Sequence, residues 1–373
     1  MPYKDALEER LRELQEEYSR TKYNKATDKH LGLLRARMAK LRREIEERSK
    51  KRKGIGFAVK KEGDATVVLV GFPKAGKSSL LNALTGTAYS KVADYAFTTL
   101  DVIPGMLEYE GAKIQLLDLP GIIEGAHLGK GGGTKVASVM RTADLLLIVV
   151  DSTAISQIPV LLEELSKLNI SINKERPSVV VEKASKGGIC VEGALSQSEK
   201  KEIADSLIAN GMYNARVYIS KQAPVEEIVE YILESKTYVK GIIVLNKIDL
   251  LKNEEVGKIK ESVEKSTGLP VIPVSASSGA NLELLKSEIF KSAGLIRIYL
   301  KPKDSQPDFE KPFVITSGST IMDVAKKLNA KSAKYLKYAY VTGPSAKFAN
   351  QKVGIEHVLS DKDIVTLVYE KRY

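Results

Sequence analysis

Gly71-Phe72-Pro73-Lys74-Ala75-Gly76-Lys77-Ser78 constrains the fold of this chain more than any other segment. It matches the spacing G-x-x-x-x-G-K-[ST], follows the apolar run TVVLVGF at 66–72, and precedes a helical stretch at 78–85. Strand, glycine turn and helix in that order make a phosphate cradle. The glycines let backbone N–H groups turn inward, and the helix aims its positive end at the same point. Lys77 is expected to reach the β and γ phosphates and the Ser78 hydroxyl to bind Mg²⁺, with Gly71 to Ser79 as the binding segment.

Short apolar runs like the first recur at 114–120, 145–151, 241–249 and 269–276, with helical stretches such as 254–266 among them. Buried parallel strands read this way, so the spacing predicts an α/β fold with a doubly wound sheet. The interval between Asp151 and Gly241 is too long for one crossover helix. It reads as an α+β insertion: helix 158–168, strands 178–182 and 188–192 joined through KASKG, helix 196–210, strand 216–220 and helix 225–235. Ahead of the sheet, Leu7, Leu11 and Leu14 form one helical stripe and Leu31, Leu34, Met38 and Leu41 another, which predicts a helical hairpin turning at 21–28. From about Leu295 the pattern becomes ββαββ and resembles a β-grasp module. The expected pieces are 1–54, 55–156, 157–238, 239–294 and 295–373.

A second set of residues specifies the ligand. Asp118-Leu119-Pro120-Gly121 ends a strand at the sheet edge where open α/β folds bind ligands, so Asp118 is expected near Mg²⁺ and the Gly121 amide near a γ phosphate. Thr98 and Thr99 lie on the loop before that strand. Thr99 is the favoured residue to complete the Mg²⁺ shell, and only while the γ phosphate is present, as in a switch. Asn246-Lys247-Ile248-Asp249 supplies a base reader. The Asp249 carboxylate accepts from the ring N1–H and exocyclic amine of guanine, donors that adenine lacks there, and such a site rejects the wrong base by roughly 10⁴-fold. Lys247 is expected to lie along the base, and Ser275-Ala276-Ser277 to offer a backbone amide to the guanine carbonyl.

The chain has 373 residues and a formal charge of +11, with 12 Lys or Arg against 3 Glu between Arg35 and Lys61. That local excess favours a polyanionic partner. The absence of Trp and of aromatic clusters in the sequence argues against a single-strand binder that stacks bases. No apolar run is long enough for a membrane span, and the charged opening does not resemble a secretion signal, so a cytoplasmic protein without membrane attachment is expected. Cys190 is the one cysteine and reads as a small packed side chain.

Taken with the segments YSRTKYNKATDKHLGLLRARMAKLRRE, GFPKAGKSSLLNALT, DYAFTTLDVIPG and LLDLPGIIEGAHLGKGGG, these motifs resemble the Obg superfamily of translation GTPases, and within it the Drg branch. The resemblance covers nearly the whole length. It implies an N-terminal helical domain, a G domain interrupted by a small inserted domain, and a C-terminal β-grasp domain called TGS. It also implies slow hydrolysis of GTP to GDP and association with ribosomes or RNA in the cytoplasm; a protein regulator is a further partner that such a switch could take. Lys77, Thr99 and Gly121 take the catalytic positions by this likeness. Ile122 stands where Ras-like switches place a water-orienting glutamine, so unaided turnover of the order of 10⁻³ s⁻¹ or slower is expected. Lys74 departs from the asparagine with which many potassium-stimulated relatives hold K⁺; its ammonium could take the ion's place and leave weak K⁺ stimulation, or simply face solvent. Gly129, Gly131, Gly132 and Gly133 suggest a mobile second switch, with His127 beside it. An alternative remains a binding module in which GTP is held and hydrolysis is negligible.

Overall fold

The computed structural model describes residues 2–21, 30–35, 37–39, 41, 61–86, 103–119, 133–233, 236–302 and 305–370. Thr98, Thr99, Gly121, Ile122, His127, Gly129, Gly131, Gly132 and the basic positions from Arg42 to Lys53 lie outside the described residues. By contact the chain falls into two compact units, Met1–Phe57 with Leu162–Val239, and Ala58–Leu161 with Lys240–Tyr373.

The second unit carries the phosphate loop. Its main sheet runs in the order Val271–Pro273, Thr237–Asn246, Leu145–Asp151, Ala65–Val70, Ala112–Asp118, Ile103–Tyr109, and all neighbours are parallel except the last pair. Every residue of Ala65–Val70 is buried, which fits a central strand covered on both faces. From it the chain moves to one side, reaches Ala112–Asp118, and then crosses to the other side at Leu145–Asp151. The phosphate loop therefore leaves the sheet where the winding reverses, the ligand position of open α/β folds. Helix Lys77–Thr85 buries Leu80, Leu81 and Leu84 in one core with Val67, Leu69, Leu116 and Val149. The strand Ile103–Tyr109 was not read from the sequence. Its residues are mostly half-buried, and the run IPGMLEY holds both Pro104 and Gly105, so it lacks the apolar signature of the central strands.

In the same unit the C-terminal module forms a five-stranded sheet in the order Phe313–Thr316, Leu295–Leu300, Asp363–Tyr369, Leu336–Thr342, Gln351–Val353, with helix Ile321–Ala333 on one face. Thr320 and Asp323 form a capping box that starts this helix. Helical residues continue past Asn329, whose φ of −160° and ψ of 103° break the helix without ending it. The three-residue strand Gln351–Val353 is too short to carry a periodicity. Arg297 ties the module to the first sheet: it donates to Asp361 at 2.8 Å and to Glu110, on the turn after Ile103–Tyr109, at 2.7 Å. Lys327 does the same at Asp64, 2.7 Å away.

The first unit holds helix Pro2–Arg20, helical residues 30–35 and 37–39, and a three-stranded sheet backed by helices Gln197–Ala209 and Val225–Ile232. Leu31, Leu34 and Met38 are buried, as their stripe requires, and His30 meets Glu17 at 3.1 Å. Strands Val179–Lys183 and Ile189–Gly193 do not pair with each other, because Ala215–Ile219 lies between them. Cys190 corrects the sequence reading: it is exposed. Ile189 and Val191 pack against the helix core, so the alternation along the strand turns Cys190 and Glu192 to the open face.

Candidate functional site

Five strand ends converge on one edge of the main sheet, and each carries residues of the candidate site. After Ala65–Val70 the chain turns through Gly71. A Cβ there would stand 2.2 Å from the Val149 carbonyl, so only glycine lets the loop pass this close to the neighbouring strand. Lys74 turns the loop with φ 66° and is exposed. Gly76, at φ 88°, caps helix Lys77–Thr85, and no side chain occupies the cap. The first N–H groups of that helix therefore have no side-chain acceptor and suit an anion. Phe72, Pro73, Ala75 and Ser79 belong to the same turn, with Ala75 buried and Pro73 and Ser79 exposed.

The charged core of the cradle is a pair of desolvated groups of opposite sign. Lys77 is buried, and its ammonium donates to the carbonyls of Gly71 and Phe72 at 3.1 and 3.2 Å. Burial lowers its pKa, and the negative charge of Asp118 only partly offsets this. Asp118, also buried, accepts from the Ser78 hydroxyl at 2.5 Å through Oδ2. Burial raises its pKa in spite of that bond and of Lys77. Asp118 Oδ1 is buried with no hydrogen-bond partner among the described residues. A carboxylate oxygen left this way beside a serine hydroxyl fits a hard divalent cation, and Ser78 and Asp118 are thus suited to Mg²⁺.

This arrangement carries a sign that can be measured. A raised carboxylate pKa means the folded state holds the proton more tightly than the unfolded one. The group's contribution to stability therefore falls as pH rises from the ordinary carboxylate range through the raised value. Asp118→Asn keeps an oxygen for Ser78 and removes the disfavoured charge. It is expected to raise the melting midpoint of the nucleotide-free protein by a few degrees near neutral pH, and to show no gain at pH values below the ordinary carboxylate range. Calorimetry across pH checks this, and a lower midpoint at neutral pH would contradict it.

The base-reading residues stand at the end of Thr237–Asn246. Asn246 is 1% exposed, and the protein uses both ends of its amide. Oδ1 accepts from the N–H groups of Lys247 and Ala276 at 2.9 and 3.1 Å, while Nδ2 donates to the Ala75 carbonyl at 3.0 Å. Asn246 is thus a clasp joining phosphate loop, base reader and the Ser275–Ser277 turn. Lys247, with φ 65°, sends its ammonium back to the Lys74 carbonyl at 2.8 Å and to Asp151 at 2.7 Å. Its stem crosses the phosphate loop, and Cε lies 3.8 Å from where a Cβ of Gly76 would be. Asp249 is exposed; Oδ1 accepts from the buried Ser275 hydroxyl at 2.5 Å, and Ser277 lies 3.0 Å from Ser275. The Ser275 hydrogen bond holds the Asp249 carboxyl below its ordinary pKa, so the acceptor stays charged and fixed in direction.

Asp151 was missed in the sequence because it reads as the last residue of the run LLLIVVD. Burial would raise its pKa, but the Lys247 ammonium and the Thr153 N–H and hydroxyl outweigh that and hold it low. Its role is to pin Lys247. The only legible signal was position: an acid at a strand end on the ligand edge.

The family described as 50S ribosome-binding GTPase matches residues 66–183, the C-terminal region of that domain matches 186–295, and the TGS domain matches 296–369. A GTP-binding protein of Methanocaldococcus jannaschii is 44% identical over 98% of this chain and 93% of its own length. Developmentally-regulated GTP-binding protein 1 of Xenopus laevis is 41% identical, and Developmentally-regulated G-protein 3 of Arabidopsis thaliana 42%, each over 96% of this chain and 98% of its own length. A cradle for phosphates, a braced acceptor for guanine and a full-length likeness of this order place the chain in the Drg family of developmentally regulated GTP-binding proteins, GTPases with a C-terminal TGS domain.

Proposed function

We propose that the chain is a slow GTP-driven switch that associates with ribosomes or RNA in the cytoplasm, with a G domain in two parts, 55–156 and 239–294, interrupted by an inserted domain at 157–238. The single observation behind the chemistry is the buried Lys77–Asp118 pair, two groups of opposite sign that burial shifts toward neutrality at the point where a triphosphate would meet both. Phosphoryl transfer needs little covalent work from a protein; it needs fixed charges at the bridging oxygens. Lys77 supplies one beside the β and γ phosphates, and Asp249 fixes the base so that the γ phosphate falls in register. Mg²⁺ held by Ser78 and Asp118, with Thr99 joining in the triphosphate state, would neutralise charge on the phosphates. Thr99, Thr98 and Gly121 then follow the presence of the γ phosphate, which gives the switch its two states.

The ribosome or RNA part rests on two observations: the description of the family that matches residues 66–183, and the net charge of +11 with its excess between Arg35 and Lys61. Single-turnover hydrolysis with and without ribosomes tests both parts together. The expected result is turnover near 10⁻³ s⁻¹ alone, acceleration on ribosomes and release after hydrolysis. No acceleration and no release would instead favour a module that holds GTP as a structural ligand. Exchanging Na⁺ for K⁺ in the same assay is expected to change the rate little, since Lys74 stands where relatives hold the ion; a tenfold rise would contradict this.

RNA affinity should fall with salt at a slope of about 0.7 to 0.9 per phosphate contact. Neutralising Arg42, Arg43, Lys51, Arg52 and Lys53 should flatten that slope.

A further inference from the structure

The run YLKYAY places Tyr335, Tyr338 and Tyr340 close together in sequence, and folding adds a further aromatic residue to two of them. In the C-terminal sheet the register sets Tyr340 opposite Thr366 and Lys352, Tyr338 opposite Val368, and Tyr299 opposite Ile364. Directly opposed residues share a face, so Tyr299, Thr366, Val368, Tyr338, Tyr340 and Lys352 form one surface across four strands. The alternate residues Ile298, Ala339, Val341, Val353 and Val365 are buried under helix Ile321–Ala333, on the other side. Tyr299, Tyr338, Tyr340 and Thr366 keep partial exposure, and Lys352 is exposed. Tyr338 and Tyr340 meet edge to face with ring centres 5.5 Å apart, and the Lys352 ammonium lies 4.1 Å from the Tyr338 ring centre. Phe309, 60% exposed, leans on Tyr299 at 5.0 Å. No outward position within these strands is a carboxylate, so the sheet face itself combines aromatic rings with a cation; Asp308 and Glu310 flank Phe309 outside the strands.

We infer that this outward face of the C-terminal sheet is a docking surface for single-stranded RNA, whose bases stack on Tyr338, Tyr340 and Tyr299 while Lys352 meets the backbone phosphate. The inference rests on the RNA association proposed above and gives it a location and a chemistry. A β-sheet face with exposed aromatic rings is a known solution for unstacked bases, because every base presents a π face and a duplex does not. Lys352 already lies against a ring. A phosphate arriving there would draw the ammonium outward and free the ring for a base.

Fluorescence anisotropy on the full chain tests this with three probes: a labelled oligouridylate, an abasic strand of equal length, and an RNA duplex. The oligouridylate is expected to bind about tenfold tighter than the abasic strand. Tyr338→Ser with Tyr340→Ser should remove that advantage while GTP affinity stays unchanged. Tyr338→Phe with Tyr340→Phe should retain it, since stacking needs the ring and not the hydroxyl. Lys352→Gln should lower the salt slope for the oligouridylate by about 0.7. Equal binding of oligouridylate and abasic strand by the unaltered protein overturns the inference without recourse to any variant. If the serine pair binds RNA normally and neutralising Arg42, Arg43, Lys51, Arg52 and Lys53 abolishes binding, the RNA association stands and this face is not its site. If none of the three probes binds, both fall.

Discussion

Asp249→Asn is expected to weaken GTP binding by roughly 10³- to 10⁴-fold and to raise affinity for xanthosine triphosphate. The expectation follows from what each side chain offers to the base edge. The carboxylate accepts two donors from guanine, N1–H and the exocyclic amine. An amide turns one acceptor into a donor, which then faces the amine of guanine but complements the carbonyl that xanthine carries at the same position. Ser275 sharpens the effect, because its 2.5 Å bond fixes Asp249 Oδ1 and leaves little freedom to turn away. The side chain is exposed, so folding should hardly change. Competition binding with guanosine and xanthosine triphosphates reads the outcome. Unchanged preference for GTP would place base recognition elsewhere.

Gly76→Ala should be among the most damaging small substitutions in the site. Its Cβ would stand 2.3 Å from Asn246 Nδ2, at a backbone φ of 88°. Asn246 is 1% exposed and clasps three segments, so it cannot yield without releasing the phosphate loop from the base reader. Steric and conformational terms together should exceed about 3 kcal/mol and lower GTP affinity at least 100-fold. Gly268→Ala separates the two terms. Gly268 has φ 67° with nothing within 4 Å of the added atom, so only the left-handed backbone term of about 1–2 kcal/mol applies. Equilibrium unfolding and GTP titration of both variants give the comparison. Equal losses in the two would show that the clasp yields and that the site tolerates its opening.

The parts of the candidate site legible in the sequence were those in which one side chain is proposed to face the ligand. Lys77, Ser78, Asp118 and Asp249 announce themselves because a phosphate, a cation and a purine edge need those groups at fixed spacing after strands. What escaped was the bracing. Asp151 pins Lys247 from a strand 96 residues away, and no local pattern connects the two. Ser275 holds Asp249 from 26 residues on, and the sequence suggested only a backbone amide there. Asn246 was read as part of the base reader, and the sequence did not show that its amide also joins that turn to the phosphate loop.

The fold divides in a similar way. Fully buried strands such as Ala65–Val70 and Leu145–Asp151 carry unbroken apolar runs, and the sequence marks them clearly. Ile103–Tyr109 and Gln351–Val353 are half-buried or short, and a half-buried edge needs little apolar pattern. The pairing of strands is a tertiary fact. Ala215–Ile219 separates two strands that stand close together in sequence, and the same kind of pairing brings Tyr338, Tyr340 and Tyr299 onto one face. Tyr338 and Tyr340 share a strand and are legible as an alternating pair, whereas Tyr299 joins them only through register.

The most direct test of the account is a calorimetric titration of the full chain with GTP and with ATP, each with Mg²⁺. Binding of GTP about 10⁴-fold tighter than ATP is the predicted result, since the proposed cradle would serve any triphosphate and Asp249, as the proposed base reader, only one base. Equal affinities, or heat from neither nucleotide, would contradict it.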